Sequence, residues 1–586
     1  MNASFIRSRF FLAAALVFLA AQRPSLAGSA TWSSNPTSGD WNTAANWTPQ
    51  TVPNSITDTA TFNASNVTDV IVDFGSNIDV DSVVFDTGAS TYTITLDISN
   101  LKLNGAGFVN NSGSVQSLII PEDGDLVGAL FFYNSATAGN MTTFSTVGGF
   151  FDFEDSSSAG SAAFNVSSDS LQGTMFFWDS STAGDAIINA SAFSDITFHD
   201  SSSGGNAILN LSSAAFALFG GSNDAEHMNG NCFGGAGAFS SQIDFQGSSS
   251  AGDGTFTAVG GSTSGEAGAF ILLNGIATAN NATFIINGAM GAGLTATQLF
   301  LMDSATAANA KITANGGLDG SNGGAIVFSK KSKGGAATIN LNGNAVLDIT
   351  MHNTPGVTIG SLAGAGSVLL GANTLTIGSN NQSTTFSGVI EGTGGVTKIG
   401  TGTLTLSGVN TYTGATTVGA GVLNLANKTG SATGAGAVNV TSGTLGGKGI
   451  IAGATTIGTG SGAGAFLAPA LGSNKQSTLT IQSAITFNSD ATYTCTFKAK
   501  KNTAKTDKVL ANGVTINGAI LNLLGQTQGS LKRGLRLTLI SNTSTNPISG
   551  TFSNLPDGGI VTINGNNFQA SYEGGDGNDL TLTVVP

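Results

Sequence analysis

The sequence predicts an all-β chain folded as a right-handed parallel β-helix, a β-solenoid with capping β segments at both ends. Three observations carry that expectation. A turn-like hexamer recurs through the middle of the chain, apolar residues flank it at a spacing of two, and Gly, Ser, Thr and Asn occupy positions that charged residues hold in ordinary soluble domains. Charged residues make up 9% of the chain and glycines number 83, yet hydrophobic residues reach 40% and are regularly spaced. Such a pattern argues for a packed core and against disorder.

Residues 1–27 read as a secretory signal. Arg7 and Arg9 precede the apolar run Phe10 to Ala21, and Ser25-Leu26-Ala27 offers small residues for cleavage after Ala27. The run is shorter than the roughly 20 residues of a bilayer span. A secreted or cell-surface location follows. The C-terminal stretch Leu580 to Pro586 has no hydrophobic tail with a basic stop, so no anchoring route is read from it. The formal charge is −14, and removing Arg7, Arg9 and Arg23 with the signal leaves about −17, which argues against nucleic acid and anionic lipid as partners. Two cysteines, Cys232 and Cys495, lie far apart, so disulfides are not what holds the fold.

Residues 28–118 are expected to cap the stack. Trp32, Trp41 and Trp47 cluster there and read as a terminal plug, with a sugar-stacking patch as the alternative. Residues 119–353 hold irregular coils. The hexamer copies are Asn134–Gly139, Asp155–Gly160, Asp179–Gly184, Asp200–Gly205, Gly247–Gly252 and Asp303–Ala308, with starts 21, 24, 21, 47 and 56 residues apart. The last two intervals are near double, which predicts one degenerate copy in each gap, the second at Gly275–Asn280, and a period of 21–28 residues. Two and four positions before each copy stand apolar pairs such as Phe153 with Phe151 and Phe198 with Ile196. Nine and eleven positions after the first residue come pairs such as Phe164 with Val166 and Leu209 with Leu211, although the earliest copy breaks this second pattern. Each unit therefore reads as a strand, a Ser-Gly turn and a second strand, too small to bury a core unless units stack. Asn165, Asn189 and Asn210 fall at one repeat position, which predicts an amide ladder along the stack. At about 4.8 Å per coil the rod would be on the order of 100 Å long.

Residues 354–470 continue as short alternating strands. Within them the stretch Gly394 to Ala426, GGVTKIGTGTLTLSGVNTYTGATTVGAGVLNLA, resembles the autotransporter-associated β-strand repeat, also called the passenger-associated transport repeat; Thr444–Ile451 through Ala465–Pro469 looks like the segment that often follows it. The resemblance implies a secreted β-helical passenger. It covers about 33 residues, and the outer-membrane barrel that completes such a protein is not seen before Pro586, so export by a general route is the expectation. Residues 471–586 form a second capping segment, with Lys498, Lys500, Lys501, Lys505, Lys508, Lys532, Arg533 and Arg536 as a solvated basic edge, and Tyr493, Cys495 and Phe497 on one inward face.

Catalysis finds little support in the residues. No arginine occurs between Pro24 and Lys532, so a lyase would lack its usual base. Asp152, Glu154 and Asp155 form the densest acidic cluster, and Asp152 and Glu154 should face outward together; carboxylates beside a turn are common without chemistry. His199, His227 and His352 are scattered, and His227 with Cys232 supplies only two of the ligands a zinc site needs; the stretch Asn223–Cys232 reads as an insertion between coils. Calcium is weighed at Gly574–Asp579, one copy of a glycine-rich turn, and at Asp155, Asp179 and Asp200, which would stack; a simple turn and solvated carboxylates are the plainer readings. No catalytic, cofactor or metal residue is therefore assigned. An exported, non-enzymatic structural or adhesive rod is the expected function, acting on a surface glycan or protein receptor, with a polysaccharide-binding module or carbohydrate-active enzyme on the same scaffold as the alternative.

Overall fold

The computed structural model describes residues 28–586 except 125, 236–239, 262–266, 292–294, 463 and 473–475; the signal segment 1–27 and the cleavage point at Ala27 lie outside the described residues. Successive coils stack through parallel strand pairing into a β-solenoid of about 19 turns. Sheet I runs from Ser55–Phe62 through Ala129–Phe132, Phe150–Phe153, Thr174–Phe177 and Asp195–Phe198 to Val389–Glu391. Sheet II runs from Asp69–Val72 through Ala163–Ser167, Ile187–Ala190 and Ile208–Leu211 to Ile520–Gln528.

The hexamer is more than a turn. Its fourth residue bridges the coils before and after it, in the series Thr137, Ser158, Thr182, Ser203, Asp224, Ser250, Thr278, Thr306 and Lys333. The hexamer is thus a third wall, narrow where it holds a single bridging residue, which broadens from Gly356–Ile359 onward into sheet III. Its third and fifth residues point inward and must be small: Ser157, Ala159, Ser181, Ala183, Ala136 and Ala138 are all fully buried. Its first residue has a left-handed backbone, φ 56° at Asp155 and 53° at Asp179 and Asp200, and its last does too, φ 60° at Gly160 and 57° at Gly184. Asn, Asp and Gly are the residues that tolerate this, which is why the motif begins and ends as it does.

The core is a column of stacked rings. Phe132, Phe153, Phe177, Phe198 and Phe219 lie with centroids 4.4, 5.0, 4.6 and 4.5 Å apart, the rise of one coil, and nearly parallel planes. The positions predicted to point inward do so. The earliest copy departs because Phe144 and Thr146, one place later than the rule, fill the inward positions after Met141, whose φ is 51°.

Coils already stack within residues 55–118, so the plug lies before Ser55. Trp32, Trp41 and Trp47 are buried there against one another and Phe62, and each indole N–H donates to a backbone carbonyl: Val67 at 3.1 Å, Pro53 at 3.3 Å and Trp41 at 2.8 Å. No face of these rings is open to a sugar. At the other end the chain closes with antiparallel strands Arg536–Asn542, Ile560–Ile563, Asn566–Gly574 and Asp579–Val585. The Gly574–Asp579 turn joins the last two strands as a hairpin, and Asp579 accepts from the Asn542 N–H at 2.9 Å. Among the described residues no helix is long and apolar enough to cross a membrane.

The stretch Asn223–Cys232 is not an insertion. Asp224 takes its place in the bridge series, and Asn229–Phe233 pairs in register with Ile208–Leu211 and Thr255–Val259, placing Cys232 inward. It is the degenerate copy expected in the first wide gap, disguised because its inward position after the turn is Gly230, where an added Cβ would meet the Phe256 ring at 2.7 Å.

Candidate functional site

The outward faces of sheets I and II differ in chemistry. Sheet II turns amides to solvent. Asn189 donates to Asn165 at 3.1 Å, Asn210 to Asn189 at 2.9 Å and Asn231 to Asn210 at 2.9 Å, so the predicted ladder exists and runs one coil further. A second ladder links Asn287, Asn315 and Asn342 at 2.8 and 2.9 Å. Each amide is both donor and acceptor, and the row fixes register.

Sheet I instead turns outward the half-buried side chains Phe131, Phe150, Phe176, Phe216, Leu218, Phe270, Leu272 and Phe300. Alternation would put polar residues there on a one-sided sheet. Apolar side chains gathered on an outward face, here broken by the rungs of Asp152, Thr197 and Asp244, are the usual mark of an interaction surface. The sequence held the signal as Phe-Phe and Leu-Leu doublets within the strands, where both faces are apolar.

Asp152 and Glu154 interrupt this face, outward together as expected. In-register pairing sets Asp152 between Phe131 and Phe176, on neighbouring coils. Phe131 stacks beside Tyr133 at 6.0 Å, Phe176 beside Trp178 at 5.8 Å, and His199 lies flat on Trp178 at 3.8 Å. Burial pushes the Asp152 carboxyl up to about 7, Glu154 adds to the shift, and a hydrogen bond from the Trp178 indole opposes it. Its Oδ1 is buried with no hydrogen-bond partner. Burial also lifts Asp195 to about 6 and holds the His199 imidazolium below its usual range against the pull of Asp200. Farther along the same outward column, Asp244 sits between Leu218 and Leu272 with its own Oδ1 unpartnered and Oδ2 accepting from Gln246 at 2.7 Å.

Asp155 accepts from the Asn134 N–H at 2.8 Å and Asp179 from the Asp155 N–H at 3.3 Å, so these two carboxylates join successive turns. Among the described residues no group of three or more His, Cys, Asp or Glu side chains could hold a metal. Cys232 and Cys495 are buried free thiols, and burial drives the Cys495 pKa up to about 12.

The stretch with the family resemblance forms rungs of sheets II and III, Val396–Lys398, Thr403–Leu406, Thr416–Val418 and Val422–Leu425. Lys398 is buried and donates to the carbonyls of Ile399 at 2.5 Å, Gly400 at 3.0 Å and Ala420 at 3.4 Å, tying a corner to the next coil. Tyr412 is buried with its hydroxyl 2.5 Å from that of Thr416. Residues 396–425 match the family described as Passenger-associated-transport-repeat. The chain carries a passenger-associated transport repeat. A segment of 56 residues, 9% of this chain and 2% of the relative, is 57% identical to a protein of Brucella suis biovar 1 (strain 1330) called adhesin BmaC autotransporter. The crystal structure of the Haemophilus influenzae Hap adhesin aligns over 90% of this chain and 64% of its own, at 12% identity and a TM-score of 0.28. The chain therefore spans less than two thirds of either protein's length.

Proposed function

We propose that this passenger-like repeat protein is an exported, non-enzymatic adhesive rod, secreted or held at the cell surface, that meets its partner through the outward face of sheet I. The single observation that carries the reading is the aromatic and aliphatic strip from Phe131 to Phe300 on a face that alternation would make polar. The adhesin name of the Brucella relative supports the same role. The plug, the Asn ladders and the ring column give a stiff body, which presents that strip at a fixed geometry. Against the polysaccharide alternative, the clustered tryptophans that would have stacked on sugar are sealed in the plug.

Beads coated with the purified protein test the reading. Retention on protein-coated and cell surfaces is expected to fall at least about tenfold in a Phe216→Ser/Phe270→Ser variant whose melting is unchanged, because both rings face outward. Equal retention by the two proteins removes this face from the adhesive role. Incubation with surface polysaccharides is expected to release no new sugar ends.

A further inference from the structure

We propose that the outward face of sheet I seats basic side chains of a protein partner, with the Asp152 and Glu154 strand taking a lysine or arginine between the rows Phe131–Tyr133 and Phe176–Trp178. The inference rests on the adhesive reading and names the partner's chemistry. Strand spacing puts the two aromatic rows about 9.6 Å apart with the carboxylates between them. Lysine and arginine match such a socket, because each carries an aliphatic stem that packs on apolar walls and a charged head that pairs with a carboxylate. Aromatic faces add cation–π attraction, which strengthens as water is excluded.

The socket recurs. Asp244 stands between Leu218 and Leu272 and Asp348 between Val327 and Leu369, on the same column as Asp152. These acidic rows come at every fourth coil, about 19 Å apart. In each of the first two an oxygen is buried and unpartnered, in a chain of net charge −14 without an arginine between Pro24 and Lys532. Lys102, also outward, is separated from Asp152 by the Phe131 row. Burial disfavours the charged form of His199, the imidazole nearest this face, against the pull of Asp200.

The test is fluorescence anisotropy of labelled oligolysine and oligoarginine with the full protein at about 0.15 M salt, alongside an immobilised neutral oligosaccharide. Two charge-matched variants decide it: Asp152→Asn/Glu154→Gln in the socket and Asp179→Asn/Asp200→Asn on the turns. The socket variant is expected to bind the basic probes about tenfold more weakly, the turn variant within about twofold of wild type. Equal losses in both would reduce binding to net charge and overturn the proposal, as would no loss in either. Binding of the neutral oligosaccharide, with the basic probes ignored, would assign the face to sugar. On coated beads, retention lost in Phe216→Ser/Phe270→Ser but kept in the socket variant sinks this inference alone; retention kept in both sinks the adhesive reading itself.

Discussion

Asp152 sets the sign of one pH dependence. Its carboxyl titrates at about 7 in the folded protein against 3.8 for a free aspartate, with burial the main cause and Glu154 the second. Between those values the folded state holds a proton that the unfolded chain has released, so stability falls as pH rises through the window and levels off above about 7. Asn has no proton to lose. Asp152→Asn is therefore expected to be more stable than wild type above pH 7, by up to about 4 kcal/mol, and nearly equal to it near pH 4. Melting of both proteins at the two pH values checks this, and a constant difference would show that burial and Glu154 do not raise the Asp152 carboxyl. Such a carboxylate is held against stability, as binding groups commonly are. The sequence exposed the position and outward direction of Asp152 but not its burial, which comes from Phe131 and Phe176 on adjacent coils, 21 and 24 residues away.

At the scale of the elements, periodicity two was enough to find the inward residues, since a strand's side-chain direction is fixed by its pleat. What it missed were features set by neighbours in the stack. The hexamer read as a turn because only its fourth residue is in a bridge, and Asn223–Cys232 read as an insertion because Gly230 gives its inward place to Phe256. The Asn ladder was legible because one residue type repeats at one position. Asn189 donates to Asn165 and accepts from Asn210, so Asn189→Ala removes two hydrogen bonds and is expected to cost about 1–2 kcal/mol, read as a lower denaturation midpoint. In the plug, Trp47→Ala removes a ring touching Trp32, Trp41 and Phe62 and is expected to cost about 3–5 kcal/mol. Hydrogen exchange should localise that loss to the coils next to the plug; uniform loss along the rod would contradict a stack joined only through neighbours.

For the whole molecule, stability in a stack is a sum over neighbouring coils, and the ends decide whether it stays a single rod. About 19 coils at about 4.8 Å give a body on the order of 90 Å long, each coil paired above and below. The last coils turn antiparallel: Asp579–Val585 lies between Arg536–Asn542 and Asn566–Gly574, so growth by parallel addition stops there. Truncation after Ala470 removes that closure and bares the strand Ala465–Ala468, whose outer partner is Ala491–Lys500 in the intact chain. An open, in-register parallel edge is a template for another chain. The truncated protein is expected to form concentration-dependent, end-to-end assemblies seen by light scattering, while the intact protein keeps the hydrodynamic size of one rod. Monomeric behaviour of both would show that the C-terminal strands shape the rod's end without protecting it, and would move the cap's role from solubility to anchoring of Lys500, Lys501 and Lys505 at the solvated edge.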